Sequence, residues 1–142
     1  LNKKNFSILL LSLLLANLLK ADIIVSPDSL PTTIKAFLEE HFKQVSIGIV
    51  QQDKNSYEVY LSDGTELEFD IDGLWKEIES KHKALSFKIL PTHIASIITN
   101  RYPQAFLIEI ERKINHYKIK LSNGLELYID NNGTIIQERY DD

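Results

Sequence analysis

Asp70-Ile71-Asp72-Gly73 sets two carboxylates ahead of a glycine, as the opening of a calcium loop does, and Asp130-Asn131-Asn132-Gly133 echoes it further along. An EF-hand loop needs oxygen ligands at positions 1, 3, 5 and 12, with glycine at 6. Counted from Asp70, glycine stands at position 4, Leu74 at position 5 and Lys81 at position 12. A lysine cannot replace the bidentate glutamate, so the stretch reads as a turn, for which Asp-Gly and Asn-Gly are suited. The four histidines, His41, His82, His93 and His116, show neither H-x-x-x-H nor H-E-x-x-H spacing, the local patterns of a zinc site. The chain also lacks G-x-S-x-G, a Walker phosphate loop and G-x-G-x-x-G, and with them the usual nucleophile and nucleotide sites. Glu39 and Glu40 read as a solvated helix face. No catalytic residue, metal site or cofactor is expected.

Composition narrows the remaining classes. Lys3 and Lys4 precede the apolar run FSILLLSLLLANLL, and Lys20-Ala21 precede a switch to polar sequence at Asp22. This is the pattern of a secretory signal peptide over residues 1–21, cleaved after Ala21, which implies export to the periplasm. The run is interrupted by Asn17 and falls short of the roughly 20 apolar residues of a membrane span, so no span is expected after cleavage. Residues 1–21 hold three of the 16 basic residues and none of the 20 acidic ones, leaving 13 against 20 and a net charge of −7. Such a chain repels phosphate backbones, and nucleic acid is not an expected partner. With zero cysteines the domain, residues 22–142, rests on its apolar core alone.

An internal repeat organises that domain. Residues 30–82 laid over 90–142 at an offset of 60 share 14 identities in 53 positions, where chance gives about three. The matches include Leu30/Leu90, Pro31/Pro91, Ile34/Ile94, Tyr57/Tyr117, Gly64/Gly124, Glu66/Glu126, Leu67/Leu127, Asp70/Asp130 and Gly73/Gly133. We place repeat one at 29–80 and repeat two at 89–140, joined by SKHKALSFK (80–88), whose Ala84, Leu85 and Phe87 predict an ordered linker.

Each repeat opens with a helix. Ile34, Phe37, Leu38 and Phe42, and then Ile94, Ile97, Ile98 and Tyr102, fall on one helical face. The period then changes to two. Val45, Ile47 and Ile49 alternate with polar or small residues, as do Tyr57, Val59 and Leu61, and Leu67 and Phe69. Alternation of this kind predicts antiparallel strands with one buried and one wet face. Asp63-Gly64 and Asn123-Gly124 predict two-residue type I′ hairpins, and LWKEI and TIIQE predict a fourth strand in each repeat. The expected fold is α+β: two tandem α-β-β-β-β repeats, an antiparallel sheet of about eight strands, and both helices on one face.

The order LP-x-x-I…F/Y, Y-x-V/I-x-L-S-D/N-G-x-E-L and F/I-D-x-D/N-G, given twice after a signal peptide, resembles the PepSY-like family, also described as β-lactamase-inhibitor-like. The resemblance covers about residues 29–140. It implies a periplasmic or secreted, non-enzymatic domain, in a family whose inhibitory members cover an enzyme's active site with a sheet face and loops.

The face opposite the core is the candidate surface. Burying Tyr57, Val59, Leu67 and Phe69 turns Glu58, Tyr60, Glu66 and Glu68 outward, and Lys118, Lys120, Glu126 and Tyr128 do the same in repeat two. Trp75, the one tryptophan, follows the first Asp-x-Asp-Gly turn. Tyrosine and tryptophan among charges suit a protein interface. The candidate protein-binding set is therefore Glu58, Tyr60, Glu66, Glu68, Trp75 and Tyr128. The function expected is a module that binds, and in one form inhibits, another periplasmic or secreted protein. The alternative is an envelope protein that binds calcium or a small ligand at the aspartate turns or between the repeats.

Overall fold

The computed structural model describes residues 22–140, and the signal peptide expected over residues 1–21 lies outside them. In chain order the elements are β1 (Ile23–Val25), α1 (Thr32–His41), β2 (Ile47–Gln52), β3 (Ser56–Leu61), β4 (Glu66–Asp70) and β5 (Trp75–Glu79). They continue with α2 (Thr92–Arg101), β6 (Leu107–Arg112), β7 (His116–Leu121), β8 (Leu125–Asp130) and β9 (Ile135–Tyr140). One antiparallel sheet contains all nine strands, each beside its neighbours in sequence. Eight strands are those the repeat predicts. The ninth, β1, is too short to carry an alternation signal, and it pairs Ile24 with Gln51 and Val25 with Val50.

Both helices lie on one face. Ile34, Leu38, Ile94 and Ile98 pack into a core with Val59, Leu67, Phe69, Ile110, Ile119, Leu127 and Ile129. Each such side chain, fully withdrawn from water, contributes roughly 1.5–3 kcal/mol. Phe37 of α1 meets Phe69 edge-on with ring centroids 5.4 Å apart. The linker is ordered as expected: Leu85 is buried and bridges to Leu107.

Two local readings need correction. A register shift between Ile47 and Ile49 inserts one residue and flips the alternation of β2. Val50 is therefore in the core, and Ile49 is 48% exposed on the other face. The hairpins are not type I′, because Asp63 and Asn123 do not have positive φ; only the glycines do. The Leu61 amide donates to the Thr65 carbonyl at 2.9 Å and the Gly64 amide to the Leu61 carbonyl at 3.1 Å, enclosing a three-residue loop with glycine last. Loops of this length place a left-handed residue at the third position. The same loop closes at Gly73, Gly124 and Gly133.

Candidate functional site

The aspartates of the turns are occupied by the backbone. Asp70 Oδ1 accepts from the amides of Asp72 and Leu74 at 3.0 and 3.1 Å, and Asp130 Oδ1 accepts from those of Asn132 and Thr134, both at 2.9 Å. Asp70 Oδ2 meets Arg112 at 3.4 Å. These contacts fix the hairpin ends. Among the described residues no group of three or more His, Asp or Glu is placed to hold a metal ion.

The open sheet face assembles the charges. Strand register aligns two adjacent rows across it. One runs Glu58, Glu68, Glu77, Glu111, Lys118, Tyr128. The other runs Tyr60, Glu66, Glu79, Glu109, Lys120, Glu126, Arg139. Seven glutamates thus cover β3 to β6, while β7 to β9 carry the cations. Sequence reasoning found Glu58, Glu66 and Glu68 but missed Glu77, Glu79, Glu109 and Glu111. Their alternation in WKEIE and LIEIE was visible, but the adjacency of β5 and β6, which joins them to the others, was not.

A shallow depression of about 140 Å³ is lined by Glu58, Tyr60, Glu66, Leu67, Glu68, Glu77 and Glu79. The Tyr60 hydroxyl donates to Glu58 Oε2 at 2.9 Å. That bond, with burial, pushes the Tyr60 hydroxyl up to about 12. Lys76 pairs with Glu68 at 3.4 Å, Lys81 with Glu79 at 3.5 Å and Lys120 with Glu109 at 3.9 Å, and Lys113 with Glu111. Glu58, Glu66 and Glu77 make no ion pair with a described residue. Burial, a hydrogen bond shared with Glu109 and the charges of Glu111, Glu109 and Glu68 push the Glu77 carboxyl up to about 7.

A raised folded pKa means that the native state holds a proton the unfolded chain has released. Stability from this group is therefore lost as pH rises from an ordinary 4.5 to about 7, and the loss is complete above that window. Glu77→Gln should remove this loss. Urea denaturation should find the variant more stable than the parent at pH 8 and level with it at pH 4.

The other sequence candidates separate. Tyr128 lies on the open face, but with the cations: its hydroxyl donates to Glu126 Oε1 at 3.2 Å, and Arg139 lies 5.6 Å from its ring centroid. Glu126, expected in water, is on this face yet only 2% exposed, because Lys118 and Arg139 cover it at 2.9 and 3.0 Å. Trp75 is on the opposite face. It pairs with Phe69 across β4 and β5, and its ring lies 6.2 Å from that of Tyr117, against the core.

The comparisons with known proteins agree with the fold. Residues 19–62 and 55–137 match the family described as "Putative beta-lactamase-inhibitor-like, PepSY-like". A solved structure from Bacteroides vulgatus, described as a "putative periplasmic protein", is 30% identical with a TM-score of 0.79, covering 83% of this chain and 96% of its own. One from Bacteroides thetaiotaomicron, described as a "putative calcium-regulated periplasmic protein", is 30% identical with a TM-score of 0.78 over 83% and 96%. A further Bacteroides vulgatus structure, a "putative periplasmic protein of unknown function", is 30% identical with a TM-score of 0.76 over 84% and 99%. None of the curated proteins compared with the chain matches it. Among the described residues no helix is long and apolar enough to cross a membrane. With the duplicated hairpins, the single sheet and the matched regions in agreement, the chain belongs to the PepSY-like, β-lactamase-inhibitor-like family.

Proposed function

We propose that this chain is a non-enzymatic periplasmic module that docks a positively charged segment of another protein on its open sheet face, across β3 to β6. The observation that carries this reading is the row Glu58, Glu68, Glu77, Glu111, four carboxylates directly opposite one another on successive strands. Like charges in that relation destabilise a sheet, and mixed charges would keep the face soluble without that cost. A cationic partner relieves the repulsion on binding. Tyr60, half-buried beside the depression, supplies the amphipathic contact area that interfaces favour. The inhibitor-like description of the family and the periplasmic descriptions of the solved relatives support the class of partner and the compartment.

The test is a pull-down from periplasmic extract with the parent chain and with Tyr60→Ala/Glu66→Lys. The double variant should lose its bound proteins, and the parent should release them as salt rises, since exposed charge pairs are screened. An unchanged set of partners would exclude this face. A second reading, weak calcium binding by a pair of these carboxylates, is prompted by the description of the Bacteroides thetaiotaomicron relative, although among the described residues no group of three is placed to hold the ion. Calorimetry with calcium alone separates the two: heat from the parent that is lost in Glu77→Gln/Glu66→Gln favours the ion, and no heat favours the protein partner.

A further inference from the structure

The two edges of the sheet are related to its internal junction. The repeats meet where β5 pairs with β6, through Glu77 opposite Glu111, Ile78 opposite Ile110 and Glu79 opposite Glu109. Val50 and Gln51 are the counterparts of Ile110 and Glu111 at the offset of 60. On β2 these two positions are met by Val25 and Ile24 of β1. β1 thus sits on β2 where β5 sits on β6. At the other end β9 is the counterpart of β5: Gln137 opposes Tyr128 as Glu77 opposes Glu68, and Glu138 opposes Leu127 as Ile78 opposes Leu67. The outer edge of β9 is therefore the edge to which a β2-like strand adds.

One side chain differs in a way that matters. Ile78 is fully buried at the internal junction, and repeat two has Glu138 in its place, on the helix-side face. Its carboxylate is held by Arg101 Nε at 2.8 Å and by the Tyr102 hydroxyl. The counterparts of these two in repeat one are His41 and Phe42. The buried, apolar Ile78 lies at a junction, whereas Glu138, held by Arg101 and Tyr102, stands at an end. Continuing the sheet over Glu138 would bury a carboxylate against Val50, which is costly, and an inward-pointing charge is a known way to blunt an edge.

We propose that the outer edge of β9 fits the β2 edge of a second copy of this chain, in the register of the β5–β6 junction, and that Glu138, with Arg101 and Tyr102, and β1 hold the two ends closed. Each end is opened separately. Glu138→Ile opens β9 while β1 still covers β2. Ile24→Pro with Val25→Asp dislodges β1 while Glu138 still guards β9. Each variant, checked for folding by circular dichroism, should sediment as a monomer alone, and an equimolar mixture should sediment as a one-to-one dimer. A mixture of two folded variants that stays monomeric overturns the proposal.

A second measurement leaves β1 intact. Gln137→Cys and Gln51→Cys, which take the places of Glu77 and Glu111, are the first thiols in a chain with no cysteine. Under oxidation they should cross-link a Glu138→Ile chain to a second copy as β1 transiently opens. With Glu138 retained they should not. Equal cross-linking with and without Glu138 also overturns the proposal.

Discussion

Replacing Gly73 with alanine should destabilise the fold by about 2–5 kcal/mol, combining the left-handed backbone cost and overpacking, as read from urea midpoints. Gly73 closes the β4–β5 loop at φ +91°, and a Cβ there would lie 2.1 Å from Thr33 Oγ1 and 3.1 Å from Thr33 Cβ. The hairpin end touches the first turn of α1, so the substitution strains the turn and also pushes the helix off the sheet. Gly124→Ala is the control. Its φ of +83° carries the same backbone cost, but the nearest side-chain atom is Tyr140 Cδ1 at 4.0 Å, so its loss should be only ~1–2 kcal/mol. Thr33→Ala should recover part of the difference in the Gly73→Ala background and none in the Gly124→Ala background. Equal losses at the two glycines would show that helix contact contributes nothing.

The second large effect belongs to Glu126. The hydrogen bonds and charges of Lys118 and Arg139 hold its carboxyl down at about 2, against an ordinary 4.5. The folded state therefore binds this proton less readily than the unfolded one. Its stabilisation is fully present above about 4.5 and is lost as pH falls through about 2. Glu126→Gln at pH 7 should cost ~1.5–3 kcal/mol, the scale of hydrogen bonds to charged groups. The gap from the parent should shrink steadily below pH 4.5 and close near pH 2. A gap independent of pH would mean that packing, not charge, accounts for the loss. Glu77 on the same face has the opposite sign, so Glu77→Gln and Glu126→Gln should diverge most at neutral pH.

The legible parts of the fold are those written by period and by repetition. Spacing alone places Ile34, Leu38, Val59, Leu67 and Phe69 in the core, and each helix and hairpin of one repeat has its counterpart in the other. The phase of β2 was hidden because a bulge adds one residue without changing composition. β1 was hidden because three residues paired only to β2 carry no pattern of their own. The candidate surface divided in the same way. Alternation gave the face of Glu58, Tyr60, Glu66 and Glu68, but only strand order brings Glu77 and Glu111 alongside them. Glu126 occupies the position of Glu66 in the repeat, and it is buried by Lys118 together with Arg139, which lies on a strand with little periodicity. Trp75 follows its partner Ile135 to the core side, a correspondence the repeat already contained.

The uninterrupted order β1 to β9 bears on how this chain acquires its structure. Six of the eight ladders are hairpins closed by short loops, and only β1–β2 and β5–β6 must close across a helix. Closure entropy grows with loop length, so the hairpins are the cheaper to form. Topologies of local contacts form faster than those that pair remote strands. Repeat one holds a helix and four consecutive strands of its own, so hairpin formation can start in either half and spread outward, as in repeat proteins where each unit leans on its neighbours. The junction between β5 and β6, which closes across the linker and α2, is expected to form late, as two partly formed halves dock.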